Sequence, residues 1–286
     1  MFRCLVVVLA GCALPSLSTE RAAIRGGVTD GGDPAVVSLS VLGVEACTAI
    51  LISTHTLLTA GHCDLDLAAA DFGDASIDIA MTVVHPQSTG EGTPYDLALM
   101  KLASDPGIAP LALSGSAPEV GRPVRHVGFG VTDDSTGDGG GVKRTVTYLI
   151  HRIDGMLVYS GAPGEETCVG DSGGPGLVTT TSGAEVVAMV VSDGPDCQLS
   201  QDGWDNRVDL VRDWIVATTS SWDAPPTFDM GSSGSGSSGS GSGSDGGGDA
   251  PGASSGSASG GCATTDASAS GLSVLIVALR RRRRSR

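Results

Sequence analysis

The amino-acid sequence predicts an all-β fold, one sandwich or two small barrels, closed by a single helix near its end. Three observations predict it. Between Val36 and Val191 the chain is a succession of short β-rich runs separated by Gly, Pro, Asp and Ser, which is the pattern of an antiparallel all-β domain. Hardly any of that stretch carries apolar residues at helical spacing. The folded part is about 195 residues long, a size that suits one sandwich or two small barrels.

Taken in order, the runs cover residues 36–42, 47–53, 56–59, 77–84, 97–102, 124–129, 145–153, 156–159, 177–180 and 186–191. Most are dominated by Val, Ile, Leu and Thr, which pack well on a pleated surface. Residues 97–102 alternate, with Leu97, Leu99 and Met100 to Leu102 following Asp96. The helix is the exception: Val208, Val211 and Ile215, with Leu210 and Trp214 beside them, repeat at a period near 3.6.

The two ends read differently from the middle. Residues 1–23 predict a signal peptide and a short propeptide, because Arg3 precedes the apolar run 5–10 and then small residues. That run is too short to span a membrane. Leu9, Ala10, Gly11 and Cys12 also resemble a lipobox, in which Cys12 would carry the lipid. The folded domain is expected over 24–222 and a disordered Gly/Ser-rich linker over 223–261, since 25 of the 31 residues from Gly231 to Gly261 are Gly or Ser. Large apolar side chains are missing from that string, so little would offset the entropy of ordering it. Residues 262–286 hold Cys262, the apolar run 272–279, then Arg280 to Arg284 and Arg286. Physically this is a stop-transfer device; it resembles the MYXO-CTERM type of C-terminal sorting signal, which implies cutting near Cys262 and retention at the cell surface. A plain tail anchor is the other reading.

Charge narrows the partners. Residues 24–222 contain 26 acidic and nine basic residues, a net charge of −17. Such a surface repels phosphates, which excludes nucleic acid and leaves a membrane only as something reached through the processed ends. Solubility is the plain reading of the acidity, attraction of cationic substrates the sharper one. Of seven cysteines, Cys4, Cys12 and Cys262 belong to the ends, leaving Cys47, Cys63, Cys168 and Cys197 for the domain. Their three possible pairings stay open on sequence grounds. An exported chain meets an oxidising compartment, and no Cys-x-x-Cys spacing is present, so disulfides are expected rather than zinc. His55, His85, His126 and His151 lack ligand spacing and read as structural; no metal or cofactor is implied.

Three local strings carry chemistry. Thr59-Ala60-Gly61-His62-Cys63 ends an apolar strand; Asp96 heads the alternating strand 97–102; Gly170-Asp171-Ser172-Gly173-Gly174-Pro175 surrounds one Ser with three Gly. A Ser hydroxyl is a weak nucleophile until a positioned base takes its proton, and flanking glycines allow the close backbone approach that an oxyanion-binding turn requires.

The order His, Asp, Ser, with a Cys beside His62 and another four residues before Ser172, resembles the trypsin and chymotrypsin family of serine peptidases from Ile24 to about Val216. That resemblance implies two six-stranded antiparallel barrels with a C-terminal helix. It implies that Ser172 is the nucleophile, His62 the general base and then acid, Asp96 the orienting carboxylate, and the amides of Gly170 and Ser172 the oxyanion hole. It pairs Cys47 with Cys63 and Cys168 with Cys197. It places Glu166 at the floor of the primary specificity pocket, with Ser192, Gly194 and Gly203 on its walls, which favours substrates cut after Lys or Arg. Glu166 stands where trypsin-like members have Asp, and Asp193 where Trp is usual. Ile24-Arg25-Gly26-Gly27 resembles the mature start of the family, whose freed amine pairs with the acid before the nucleophile, here Asp171; Arg25 replaces an apolar residue there, and Ala23 stands where Lys or Arg usually precedes the cut. The function implied is a secreted or surface-attached endopeptidase acting on proteins or peptides as a monomer, switched on by another protease. The alternative is a catalytically silent binding module of the same fold, and an esterase is a weaker third.

Overall fold

The computed structural model describes residues 24–133, 135–193 and 203–231. The leader with Cys12, the pocket residue Gly194, Cys197, the Gly/Ser string and the tail with Cys262 lie outside the described residues.

The first part of the chain forms β1 (Val28–Thr29), β2 (Val36–Val41), β3 (Val44–Ser53), β4 (Thr56–Thr59), β5 (Ala68–Asp71), β6 (Ser76–Val84) and β7 (Ala98–Leu102). Six of them close an antiparallel barrel in the order β2-β3-β4-β7-β6-β5. The second part forms β8 (Leu113–Ser114), β9 (Pro123–Gly128), β10 (Arg144–Asp154), β11 (Leu157–Ser160), β12 (Pro175–Thr179), β13 (Glu185–Asp193) and β14 (Gly203–Arg207). Here β9-β10-β11-β14-β13-β12 make a second six-stranded ring, closed because β12 pairs with both β9 and β13. A 3-10 turn over Asp209–Val211 leads into α1 (Arg212–Thr219), and β15 (Phe228–Asp229) then pairs in parallel with β8. The two-barrel alternative is therefore the correct one of the two that size and strand pattern allowed.

Burial follows the patterning. On β10, Val146, Tyr148 and Ile150 point inward at every second position while Thr147 and Leu149 are exposed, as a barrel wall with one wet face demands. From Cys47 onward β3 is covered on both faces: Ala49 and Leu51 fill the first barrel, whereas Ile50 and Ile52 join Val36, Leu58, Leu97 and Leu99 against Leu113, Val127, Leu177, Val190 and Ile215 of the second half. Each such aliphatic contributes about 1.5–3 kcal/mol on burial. Apolar area thus outweighs the few polar links in holding the barrels together. The second barrel has its own core, and Ile24 is part of it with Val124, Val146, Tyr148, Val158 and Met189.

Strands β5 and β14 escape a reading of local pattern, since Ala-Ala-Ala-Asp and Gly-Trp-Asp-Asn-Arg have little β-propensity. They are strands because ready-made edges lie on both sides, β2 and β6 for β5, β11 and β13 for β14. The helix falls where expected, with Val208, Val211 and Ile215 buried, although Leu210 is half exposed. Past the expected boundary at Trp222 the described chain runs on to Gly231 and includes β15. Asp223 Oδ2 accepts from the His55 amide at 2.6 Å and the Thr56 hydroxyl at 2.9 Å, the Ser53 hydroxyl donates to the Ala224 carbonyl at 2.7 Å, and Phe228 packs on the inter-barrel core. These contacts, invisible in a composition count, offset the entropy of ordering the segment.

Candidate active site

His62 sits on the 3-10 turn Gly61–Cys63 directly after β4. Its backbone amide donates to Asp96 Oδ1 at 2.8 Å and its Nδ1 lies 2.7 Å from Asp96 Oδ2. A carboxylate can only accept, so Nδ1 carries the proton and Nε2 remains the basic nitrogen. Asp96 is fully buried and receives a third bond, from Ser192 Oγ to Oδ2 at 2.6 Å. These three donors meet the hydrogen-bonding demand of a carboxyl group that has no access to water. Gly61 is required by this arrangement, because a Cβ there would stand 2.8 Å from Asp96 Oδ1.

The loop carrying Asp96 is fastened from the other barrel. Tyr95 has φ +66°, uncommon for a bulky residue. Its amide donates to the side-chain oxygen of Asn206 on β14 at 2.7 Å, and Asn206 Nδ2 returns a bond to the Thr93 carbonyl at 3.2 Å. The Tyr95 ring stacks on His85 with centroids 4.9 Å apart, and His85 meets Trp214 edge-on at 4.7 Å. Burial holds the His85 imidazole below its usual pKa, as suits a neutral packing element.

Ser172 lies in the loop before β12, where Gly170 and Gly173 have φ of +96° and +86°. A Cβ on Gly173 would come within 2.0 Å of Thr59 Oγ1 and 2.1 Å of the Thr48 carbonyl oxygen, so glycine lets the Ser172 turn press against the strands that lead to His62. Thr48 on β3 holds the turn: its amide donates to the Ser172 carbonyl at 2.8 Å and its hydroxyl to the Gly170 carbonyl at 2.8 Å. The Gly173 amide donates to the Val191 carbonyl at 2.7 Å. Among the described residues, the amides of Gly170 and Ser172 have no protein acceptor. The Cys47–Cys63 disulfide, Cα atoms 6.2 Å apart, joins β3 to the His62 turn. With a sequence separation of 16 it contributes about 3 kcal/mol in the loop-entropy account. Cys47, Cys63 and His62 also come within metal-binding reach of one another, but both sulfurs are committed to the disulfide.

Asp171, directly before Ser172, is buried. Its Oδ1 accepts from the Gly130 amide and its Oδ2 from the Cys168 amide, each at 2.8 Å. Burial raises its pKa to about 6, against the pull of these two bonds and of the His126 and Arg144 charges. Ile24 is buried in the same barrel, and Arg25 exchanges backbone bonds with Glu166, N to O at 2.9 and 3.1 Å. Glu166 itself is 1% exposed. Tyr148 has its phenol held well above the usual range, chiefly by burial and then by the negative charges of Asp205, Asp171 and Glu166, with a Thr167 hydrogen bond opposing. Asp205 accepts from or pairs with His126, Nε2 to Oδ2 at 3.0 Å, both buried.

Of the residues predicted from sequence, the structure brings His62 and Asp96 into hydrogen-bond contact and sets the Ser172 turn against the same strands. Ser192, expected on a pocket wall, reaches Asp96 as well. Gly203 is buried at the start of β14, opposite Ser160. Cys168 is in a disulfide, while Cys197, its expected partner, lies outside the described residues, as do Gly194 and the side chain of Asp193. His55 and His151 sit on the surface side of the fold and His126 within it. Sequence reasoning missed Thr48 and Asn206. Neither carries a local signal, one being an ordinary strand Thr beside Cys47 and the other part of a polar string.

The sequence model of the trypsin family matches residues 25–215. The chain belongs to the trypsin family. Vitamin K-dependent protein C of Rattus norvegicus is 30% identical over 213 residues, covering 59% of this chain and 45% of that protein. Trypsin-1 of Astacus astacus is 25% identical over 207 residues, 60% of this chain and 86% of the relative. Ovochymase-2 of Mus musculus is 28% identical over 219 residues, 63% and 35% of the two chains. The matched region thus spans under half the length of protein C and most of the length of the Astacus astacus trypsin-1.

Proposed function

We propose that the domain is a serine endopeptidase, exported and held at or released from the cell surface, that hydrolyses peptide bonds through Ser172, His62 and Asp96. One observation carries the reading: among the described residues the amides of Gly170 and Ser172 have no protein acceptor, the Ser172 carbonyl lies 3.7 Å from the Cys63 sulfur next to His62, and the His62 Nδ1 is bound to a buried carboxylate. Ser172 Oγ adds to the substrate carbonyl carbon while His62 Nε2 takes its proton, and the carbonyl π pair moves onto oxygen, where the Gly170 and Ser172 amides receive it. Collapse breaks the C–N bond, and the departing amine takes the proton from His62. Water then attacks the acyl ester by the same route, with His62 again as base, and the acid leaves as Ser172 is restored. Asp96 stays anionic and keeps the imidazole in the productive tautomer.

Substrates cut after Lys or Arg are favoured. Glu166, 1% exposed, supplies the acid, and its charge is among those that act on the Tyr148 phenol. Gly203 leaves room above; Ser192 and Gly194 complete the proposed walls. Activation follows from cutting after Ala23. Ile24 already belongs to the second barrel's core, and Asp171, held at about 6, is a buried carboxyl that a freed amine would stabilise. The leader and the Cys262 tail supply the route to the surface.

The test uses the full chain with an enteropeptidase site placed directly before Ile24, cut, exposed to a fluorophosphonate and weighed, alongside Ser172→Ala. An adduct on Ser172 in the parent alone is expected; a folded parent without adduct gives the site to the silent binding-module reading. A peptide library should then show cleavage after Lys and Arg that Glu166→Gln abolishes. Equal cleavage after Phe or Leu removes the basic preference, and equal rates from chains begun at Ala22 or Gly26 remove the activation step.

A further inference from the structure

The geometry points to Thr48 as the positioning residue that sets the two amides of the oxyanion cradle, an assignment that rests on the reading of Ser172 as nucleophile. Thr48 belongs to the first barrel and is fully buried, yet its partners are in the loop of the second. Its hydroxyl holds the Gly170 carbonyl at 2.8 Å and its amide holds the Ser172 carbonyl at 2.8 Å. Those two carbonyls bracket the peptide that bears the Ser172 amide, and the Gly170 carbonyl is one peptide beyond the Gly170 amide. One residue therefore grips the chain on both sides of the Ser172 amide, and between it and the Gly170 amide.

The grip is directional. The hydroxyl oxygen accepts from the Phe129 amide at 3.2 Å, which leaves its own hydrogen aimed at Gly170. Thr48 is itself pinned, because Thr59 Oγ1 donates to its carbonyl at 2.8 Å. The hydroxyl matters because Gly170, at φ +96° and without a Cβ, presents little resistance to rotation of the Gly170–Asp171 peptide. The far end of that peptide is held by the Asp171 amide on the Cys168 carbonyl at 2.9 Å. Removal of the hydroxyl frees one end of the peptide that links the two donor residues, so the Gly170 and Ser172 amides lose the bond that fixes their spacing and common direction.

The experiment compares Thr48→Val, which keeps the shape and removes the hydroxyl, with Thr48→Ser, which keeps the hydroxyl, in the full chain cut before Ile24. Crystal structures report the Gly170 carbonyl direction, and steady-state kinetics separate kcat from KM. Expected is a Gly170 carbonyl turned away from residue 48 in Thr48→Val, with kcat lower by about 10- to 100-fold, a fraction of one lost oxyanion donor, and KM little changed. Thr48→Ser restores both. A carbonyl that keeps its direction in Thr48→Val overturns the assignment. So does lower thermal stability with kcat unchanged, which reduces Thr48 to packing. If the parent takes no fluorophosphonate on Ser172 the peptidase reading falls instead, and the carbonyl direction still decides the role of Thr48.

Discussion

Raising the pH through the weakly acidic range will destabilise the uncut chain through one carboxyl, that of Asp171. In the fold its pKa stands at about 6 against an ordinary 3.8, a gap of roughly two units and therefore about 3 kcal/mol. Below the ordinary value both folded and unfolded chains hold the proton, and the domain has its full stability. Between the two values the unfolded chain has lost the proton and the folded chain keeps it, so stability falls as pH rises, until both are ionised above about 6 and the whole 3 kcal/mol is gone. Cutting before Ile24 changes the sign of the local problem: an ammonium delivered to Asp171 favours the ionised form, draws its pKa down and removes the loss. The assay is urea unfolding of Ser172→Ala full-length chain, uncut and cut, from about pH 4 to 7, each compared with the same chain carrying Asp171→Asn so that all other titrations cancel. The uncut pair should converge or cross by about 3 kcal/mol over that range, and the cut pair should not. Parallel curves for the uncut pair would refute the buried-carboxyl argument; identical behaviour of cut and uncut chains would refute the delivery of the Ile24 amine.

Other expectations follow from single contacts. Ser192→Ala leaves the buried Asp96 carboxylate without its 2.6 Å bond, a loss of about 1.5–3 kcal/mol for a charged acceptor, to be read as lower urea resistance together with slower fluorophosphonate labelling. Gly173→Ala places a Cβ at 2.0 Å from Thr59 Oγ1 and 2.1 Å from a backbone oxygen, so the near-ultraviolet circular dichroism of a packed domain should be absent or greatly weakened. A stop codon after Trp222 removes Phe228 from the core and the Asp223 carboxylate from the His55 and Thr56 donors; about 3 kcal/mol of unfolding free energy should go with them, whereas a stop after Gly231 should leave the unfolding curve unchanged.

Much of the fold was legible because it is written in local periodicity. The runs at 36–42, 47–53 and 145–153 and the 208–215 repeat became β2, β3, β10 and the α1 region, since a strand or helix with one apolar face has few other ways to hide it. The strings around His62, Asp96 and Ser172 were legible for another reason: their glycines are demanded by close approach, as at Gly61 against Asp96 and Gly173 against Thr48, and such demands leave a mark in the sequence. The nine-residue reach past Trp222 was not legible, because Asp223 and Phe228 look like linker residues until His55, Thr56 and the inter-barrel core stand beside them.

What the sequence determined alone was the class of fold and the local strings in which His62, Asp96 and Ser172 stand. Each depends on neighbours a few positions away or on composition. Tertiary structure decided the rest. Whether the strands made one sandwich or two barrels depended on β12 finding both β9 and β13. That Asp96 is served by Ser192 as well as His62, that Asn206 fastens the loop before it, and that Thr48 grips the turn of Ser172 are contacts between residues 96, 111 and 122 positions apart. A hydrogen bond of that kind has no sequence signature, because its geometry exists only after the barrels have closed and the apolar surface between them has been buried.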